Sequence, residues 1–208
     1  MRIDPAGWPF VLGGLVVAIV AAFFAGAVYG LVLLGLSLFF LFFFRDPERQ
    51  VTAPDEAVLS PADGRVMLAG PSTAREFPAA SWQQISIFLS PMDVHINRMP
   101  VGGTIVRVSY HPGRFMPAFK AEAGDLNEYT EVAVDHSGQL VVFRQIVGIL
   151  ARRIVCRVKE GDQLRAGDRM GVMKFGSRMD IFLPTSAIIQ TKVNDKVVGG
   201  KTVVATLR

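Results

Sequence analysis

The sequence contains one cysteine, Cys156, in 208 residues. It can form no intramolecular disulfide and no multi-cysteine metal cluster. Three histidines, His95, His111 and His136, leave little material for an all-histidine metal site. Charge is also scarce, with 19% of residues charged against 50% hydrophobic and a mean hydropathy of +0.36. Those proportions exclude a disordered chain, and the length excludes a disulfide-stapled miniprotein. One domain with at most an appendage is expected.

The shortage of charge is local. From Pro5 to Phe44 there is no charged residue, and eight of the fifteen phenylalanines fall in that stretch. Arg2 and Asp4 cancel, so the net charge of +4 belongs to residues 45–208. This basic excess suits an anionic lipid surface; no nucleic-acid partner is expected. The run Phe10–Phe44 is 35 residues long, whereas a membrane-spanning helix needs about 20. A single straight helix would reach roughly 52 Å, beyond a hydrocarbon core of about 30 Å. Two short helices over residues 1–44 are therefore predicted, with a break around Gly26, Tyr29 and Gly30 and with Pro9 in the first turn. A signal peptide would need a basic start and a shorter apolar core. Arg45 and Arg49 follow the run, and positive flanks stay on the cytoplasmic side. A hairpin would leave both its ends there, in or on the cell membrane.

After Arg45-Asp46-Pro47, Gly and Pro separate short, β-branched apolar runs. Strands are predicted at Ala57–Ser60, Val66–Ala69, Ile85–Leu89, Ile105–Tyr110, Val132–Val134, Leu140–Val147, Arg153–Val158, Met170–Lys174, Ile181–Leu183 and Val203–Leu207. Only Ala118–Ala123 reads as a helical turn. Residues 45–208 thus form a mainly β domain, a compact sandwich or barrel-like fold related to barrel-sandwich hybrids. Lys159–Gly167 also echoes Lys192–Gly200, with Lys, Asp and Gly coinciding. Gly161 and Asn194 both tolerate the positive φ of a tight turn. Two similar turn-plus-strand units in one fold are expected.

Lys174-Phe175-Gly176-Ser177-Arg178-Met179-Asp180 carries the first candidate chemistry. Serine is a weak nucleophile unless a base or strain activates it. Its hydroxyl can attack the preceding carbonyl, shifting the acyl group from nitrogen to oxygen. A base that then removes the serine α-proton eliminates the ester and leaves a blocked keto-acyl terminus. This requires a small residue before the serine, a nearby base and donors for the oxyanion. Gly-Ser alone is a common turn dipeptide. Two other clusters bear on it: Ser60-Pro61-Ala62-Asp63-Gly64 places a carboxylate in a tight loop, and Ser90-Pro91-Met92-Asp93-Val94-His95-Ile96-Asn97-Arg98-Met99-Pro100 places a histidine after a strand. Asp63, His95 and Ser177 are the parts of a nucleophile–base–orienter set.

In this order, S-P-A-D-G, L-S-P-M-D-V-H-I-N-R-M-P and F-G-S-R-M-D-I-F-L-P resemble the phosphatidylserine decarboxylase family, specifically its shorter bacterial and archaeal branch. Arg144–Val155 and Val158–Asp162 extend the resemblance over nearly all of residues 45–208. It implies a proenzyme that cuts itself between Gly176 and Ser177 into a β chain, 1–176, and an α chain, 177–208. Ser177 would become a pyruvoyl group, with no metal. That group would form a Schiff base with the amine of phosphatidylserine and act as electron sink while carbon dioxide leaves, giving phosphatidylethanolamine. The resemblance implies an Asp–His pair serving the serine: Asp63 matches its aspartate, and His95 is taken as the base, although in longer members the second histidine of the motif usually has that role. Longer members carry H-x-x-H before M-P; here His95 fills the first place and Arg98 the second. Arg98 offers a fork for a substrate carboxylate or phosphate, or serves as a salt-bridged loop residue. His111 and His136 read as structural or exposed, and a homo-oligomer is left open. The alternative is a membrane-anchored lipoyl- or biotinyl-like carrier or adaptor domain, suggested by V-K-E-G-D-Q-L-R-A-G-D-R-M and Met173-Lys174.

Overall fold

A computed structural model describes residues 2–77, 79–149 and 154–208. The chain divides into two compact units, Met1–Glu48 and Arg49–Arg208. In the first, a short 3-10 turn at Pro5–Gly7 is capped by Asp4, whose Oδ1 accepts from the Ala6 N–H at 2.9 Å. Helix α1 (Trp8–Ala25) and helix α2 (Ala27–Phe43) come next. Gly26 separates them with φ +106°, a conformation that costs other residues dearly. The helices pack as a hairpin. Gly30 does not break the helix, as its sequence context suggested. It lies within α2, where a Cβ would be 2.5 Å from that of Ala22. Ser37 Oγ donates to the Val11 carbonyl at 2.8 Å, which satisfies its hydroxyl in apolar surroundings. Strand β1 (Arg2–Ile3) pairs antiparallel with β2 (Arg45–Asp46), so this unit extends past residue 44.

Pro5–Ala25 forms an apolar stretch of 21 residues, long enough to cross a membrane. Large apolar side chains point outward all round the hairpin; Phe23 and Phe24 are 82% and 81% exposed. A helix that is apolar on every side either fills a large core or faces lipid.

The second unit contains β3 (Ala57–Leu59), β4 (Gly64–Pro71), β5 (Trp82–Leu89), β6 (Ile96–Arg98) and β7 (Gly103–His111). A single turn of helix, α3 (Ala123–Leu126), precedes β8 (Tyr129–His136), β9 (Gln139–Ile146), β10 (Ile154–Cys156), β11 (Gln163–Leu164) and β12 (Arg169–Met173). The chain ends through β13 (Ser177–Pro184), β14 (Ile188–Ile189), β15 (Lys196–Val197) and β16 (Val203–Thr206). The largest sheet has eight antiparallel strands in the order β11-β7-β8-β9-β13-β5-β4-β15, and two three-stranded sheets run β10-β12-β6 and β14-β16-β3. The fold is mainly β, and its sheets do not close into a barrel. Alternation along β13 sends Met179, Ile181 and Leu183 into a core shared with Ile85, Ile87, Phe143, Met170 and Val204.

The sequence echo is a structural repeat. β11 and β15 are the two edges of the large sheet and pair with the starts of β7 and β4. In both turns an aspartate accepts from a lysine N–H at 2.9 Å, Asp162 from Lys159 and Asp195 from Lys192. Gly161 and Asn194 take φ +86° and +77° there. Ile105 and Val66 each donate an N–H at 2.9 Å to the carbonyl of the corresponding aspartate. Helix appears at Ala123–Leu126 instead of Ala118–Ala123, because Lys120 and Ala121 supply carbonyls to the turn leading into it. Of the predicted strand Arg153–Val158, Ile154–Cys156 forms and Arg153 lies outside the described residues.

Gly64 begins β4 with φ +156°, and a Cβ there would overlap the Phe88 carbonyl oxygen. Gly64→Ala should therefore lose about 3 kcal/mol from overpacking and strain, measured by chemical denaturation. Gly35→Ala, with open space around the added methyl, should lose nothing by thermal unfolding in detergent.

Candidate active site

β13 begins at Ser177, immediately after a tight left-handed turn. Phe175 has φ +61° and Gly176 φ +77°. For the non-glycine Phe175 this costs roughly 1–2 kcal/mol. At Gly176 it is φ, not crowding, that demands glycine, since a Cβ there would meet nothing within 4 Å. The turn carries the chain abruptly from β12 into the middle of the large sheet, where β13 lies between β9 and β5. Ser177 pairs with Leu89 and faces the core. It is fully buried, and its Oγ has no hydrogen-bond partner. A buried hydroxyl without a partner is costly and uncommon.

His95 lies on the same turn. After β5, Ser90 and Asp93 close a loop, with the Ser90 N–H donating to Asp93 Oδ2 at 2.9 Å and the Asp93 N–H to Ser90 O at 2.8 Å. That loop delivers His95, 1% exposed, to the start of β6. Its Nδ1 lies 3.0 Å from the Asp93 carbonyl oxygen, and the Gly176 N–H donates to its Nε2 at 3.4 Å. A carbonyl can only accept, so Nδ1 bears the proton and Nε2 presents a lone pair. Gly148, after β9, closes the other side. A Cβ at residue 148 would overlap the Gly176 carbonyl oxygen, so backbone alone approaches it there.

Asp63 does not join this group. Its carboxylate is gripped by the Arg49 guanidinium, Nη1 to Oδ1 at 2.5 Å and Nη2 to Oδ2 at 2.8 Å, and it accepts from the Gly199 N–H at 2.8 Å. The expected Asp63–His95 pair is replaced for a physical reason: a two-pronged charged fork outcompetes a neutral imidazole. The Asp93 carbonyl orients the ring instead. Arg98, 3% exposed, ends the three-residue strand that His95 leads into, about 10 Å further on. Its Nη1 donates to the Gly167 carbonyl at 2.9 Å, and it lines a cavity of about 540 Å³ with Arg49, Arg165, Arg169 and His136. His136 Nδ1 bonds the Gly102 carbonyl at 2.7 Å, and His111 stacks on Tyr129 with centroids 4.4 Å apart. His111 is thus held by ring packing and His136 by the backbone at the edge of that cavity. Cys156 is no rival nucleophile, because burial raises its thiol pKa, only partly offset by a contact with the Val158 carbonyl.

Several residues at the site were not singled out from the sequence. Arg178, on the opposite face of β13 from Ser177, donates Nε to Asp180 Oδ1 at 2.6 Å and Nη2 to Ser86 Oγ at 3.0 Å. This buried pair holds the start of the strand. Asn97 and Gln145 share a hydrogen bond of 2.8 Å across the sheets. Gly148 and Gln145 fall inside the R-Q-I-V-G-I-L run, and Asn97 two positions after His95. Position in a motif was the available signal; pairing was not.

Comparison with known proteins adds relatives to this geometry. The sequence profile of the family described as phosphatidylserine decarboxylase matches residues 36–205. The phosphatidylserine decarboxylase proenzyme of Symbiobacterium thermophilum is 43% identical over 202 residues, covering 97% of this chain and 94% of that protein. The proenzyme of Granulibacter bethesdensis is 40% identical over 98% of this chain and 84% of its own. That of Geobacter metallireducens is 37% identical over 97% and 94% respectively.

The Arg49 and Asp63 side chains are 5% and 15% exposed. Arg49→Ala should strand the carboxylate and lower stability by about 3 kcal/mol, read from urea unfolding at neutral pH. Asp63→Asn, which keeps an acceptor for Gly199, should lower it as well, since it leaves the guanidinium without its counter-charge. A loss under about 0.5 kcal/mol in both, as at an exposed pair, would contradict the structural role given to this fork.

Proposed function

The chain belongs to the phosphatidylserine decarboxylase family and is an enzyme of it, and from that premise we propose that it decarboxylates phosphatidylserine to phosphatidylethanolamine with a pyruvoyl group made from its own Ser177. The observation that carries this reading is the buried, unpartnered Ser177 hydroxyl directly after a left-handed glycine, with the His95 ring on the same turn. The relatives' description as proenzymes fits a precursor that is cut into chains.

The local arrangement suits self-cleavage between Gly176 and Ser177. Ser177 Oγ attacks the Gly176 carbonyl carbon, forming a C–O bond as the C–N bond breaks. The resulting ester connects Gly176 to the Ser177 side chain. In this reading His95 Nε2, which accepts from the neighbouring Gly176 N–H at 3.4 Å, exchanges that contact for the hydroxyl proton and serves next as base for the α-proton. Loss of that proton expels the Gly176 carboxylate and leaves a double bond at residue 177. Addition of water and loss of ammonia then give the keto-acyl terminus. Gly148 keeps side chains away from the Gly176 carbonyl, whose oxygen becomes the oxyanion. The positive φ at Phe175 stores strain in the turn that cleavage releases. Met1–Gly176 and Ser177–Arg208 are the β and α chains of this reading.

The chain fits a pyruvoyl group at residue 177. The position is fully buried, faces the core and has a hydrogen-bonding atom that the fold leaves without a partner. Once formed, such a group supplies an electron sink for an amine substrate. The chain's own residues supply the dry setting, through Leu89 and Met179, and the His95 ring for proton movement.

A lipid substrate accords with the apolar hairpin. The stretch Pro5–Ala25 anchors the chain at the membrane, with Arg45 and Arg49 marking the cytoplasmic side as that of the catalytic unit. The basic balance of residues 45–208 favours anionic phosphatidylserine over its zwitterionic product.

Ser177→Ala should remain one chain and release no carbon dioxide from carboxyl-labelled phosphatidylserine, while the wild type turns it over. Gly148→Ala should slow cleavage at least tenfold, followed by gel over time. His95→Gln should do the same. Turnover by the Ser177→Ala protein above a tenth of the wild-type rate would overturn the pyruvoyl reading.

A further inference from the structure

Asn97 in β6 and Gln145 in β9 are both fully buried. Gln145 Nε2 donates to Asn97 Oδ1 at 2.8 Å, while Asn97 Nδ2 and Gln145 Oε1 have no partner. Amide groups this deep are ordinarily paired. Here one donor and one acceptor stay open on two side chains that already hold each other in place.

They lie close to residue 177. In the β13–β9 register Met179 pairs with Gln145 and Arg178 with Ile146. One step further along, Ser177 is therefore the diagonal neighbour of Gln145 on the same face, about 7–8 Å away. Asn97 approaches from the three-stranded sheet, where it pairs with Gly171. Glycine is required at that position: a Cβ would overlap the Val155 carbonyl oxygen and stand 3.0 Å from Gln145 Nε2. On this face Gln145 also neighbours the apolar Phe143 and Met179 and, directly opposite it on β8, the buried Thr130.

We infer that Asn97 and Gln145 recognise the serine head group of the lipid, Gln145 Oε1 accepting from the amine and Asn97 Nδ2 donating to the carboxylate. The inference rests on the reading of Ser177 as the reacting residue and adds what distinguishes a serine head group from an ethanolamine one. Serine carries both groups that the open valences need. The product has lost its carboxylate, leaves Asn97 Nδ2 open again and is held less tightly. A neutral amide also orients the carboxylate without the full counter-charge that would oppose its departure as carbon dioxide.

The test is the near-isosteric double variant Asn97→Leu with Gln145→Leu in the full chain, solubilised in detergent. It removes two unfilled polar groups, so the melting temperature should not fall. Self-cleavage, read by intact mass, should be complete. KM for phosphatidylserine in mixed micelles should rise at least tenfold, while the inhibition constant of phosphatidylethanolamine, which keeps the amine but has no carboxylate to lose contact, should rise by a smaller factor. A KM within twofold of wild type in the cleaved variant would overturn the inference, as would a folded variant that no longer cleaves, which assigns the amides to maturation. Should the double variant not fold, Gln145→Met and Asn97→Leu taken singly decide by the same KM criterion. Failure of the parent reading is distinguishable, because wild-type protein would then show no break after Gly176.

Discussion

Two consecutive left-handed residues, Phe175 and Gly176, set the geometry on which the site depends. They turn the chain out of β12 and start β13 with Ser177 already inside the large sheet. A relaxed loop would leave the serine hydroxyl in water, where it is a poor nucleophile that solvent satisfies. Here it is buried without a hydrogen-bond partner, beside a histidine whose tautomer is set by the Asp93 carbonyl. The strand beyond the turn sustains the strain. β13 is hydrogen-bonded on both sides, to β5 and β9, along most of its length. Arg178 and Asp180 lock its outer face in a buried ion pair. Cooperative pairing over eight residues of strand outweighs a turn whose strain at Phe175 costs roughly 1–2 kcal/mol.

The scaffold that holds this turn is built twice. The edges β11 and β15 close the large sheet with the same aspartate-capped turn, and each joins a strand that begins at a positive-φ glycine, Gly103 or Gly64. Both glycines sit against a neighbouring carbonyl oxygen that leaves no space for a Cβ. The two halves bury a common core, and β6 pairs antiparallel with β12 in one of the three-stranded sheets. His95 lies at one end of β6 and Arg98 at the other, so the same short strand connects the Ser177 turn to the arginine-lined cavity.

Much of this was legible in the sequence where neighbours decide structure. The apolar hairpin followed from charge-free length, with the break falling at Gly26 because that residue alone in the segment needs a positive φ. The strands followed from β-branched runs between turn residues, and the repeat from matched Lys, Asp and Gly. The meeting of His95 with the Gly176 turn, 81 residues apart, was accessible only through the family resemblance. What stayed hidden was partner choice. Asp63 sits in a motif beside His95 in function-based reasoning, yet Arg49 holds it, and no local pattern in the sequence marks Arg49 for that fork. Gly148 looked like one glycine among 20 until its approach to the Gly176 carbonyl was seen. Asn97 and Gln145 read as ordinary polar residues, since burial and open valence are properties of packing rather than of composition.

The central claim is that the chain converts its own Ser177 into the reactive group. Intact mass of the purified, denatured wild-type protein tests it most directly. The account predicts two chains, residues 1–176 and 177–208, the smaller one bearing a keto-acyl group in place of a free amino terminus. A single chain of full precursor mass from a preparation that converts phosphatidylserine to phosphatidylethanolamine would contradict it.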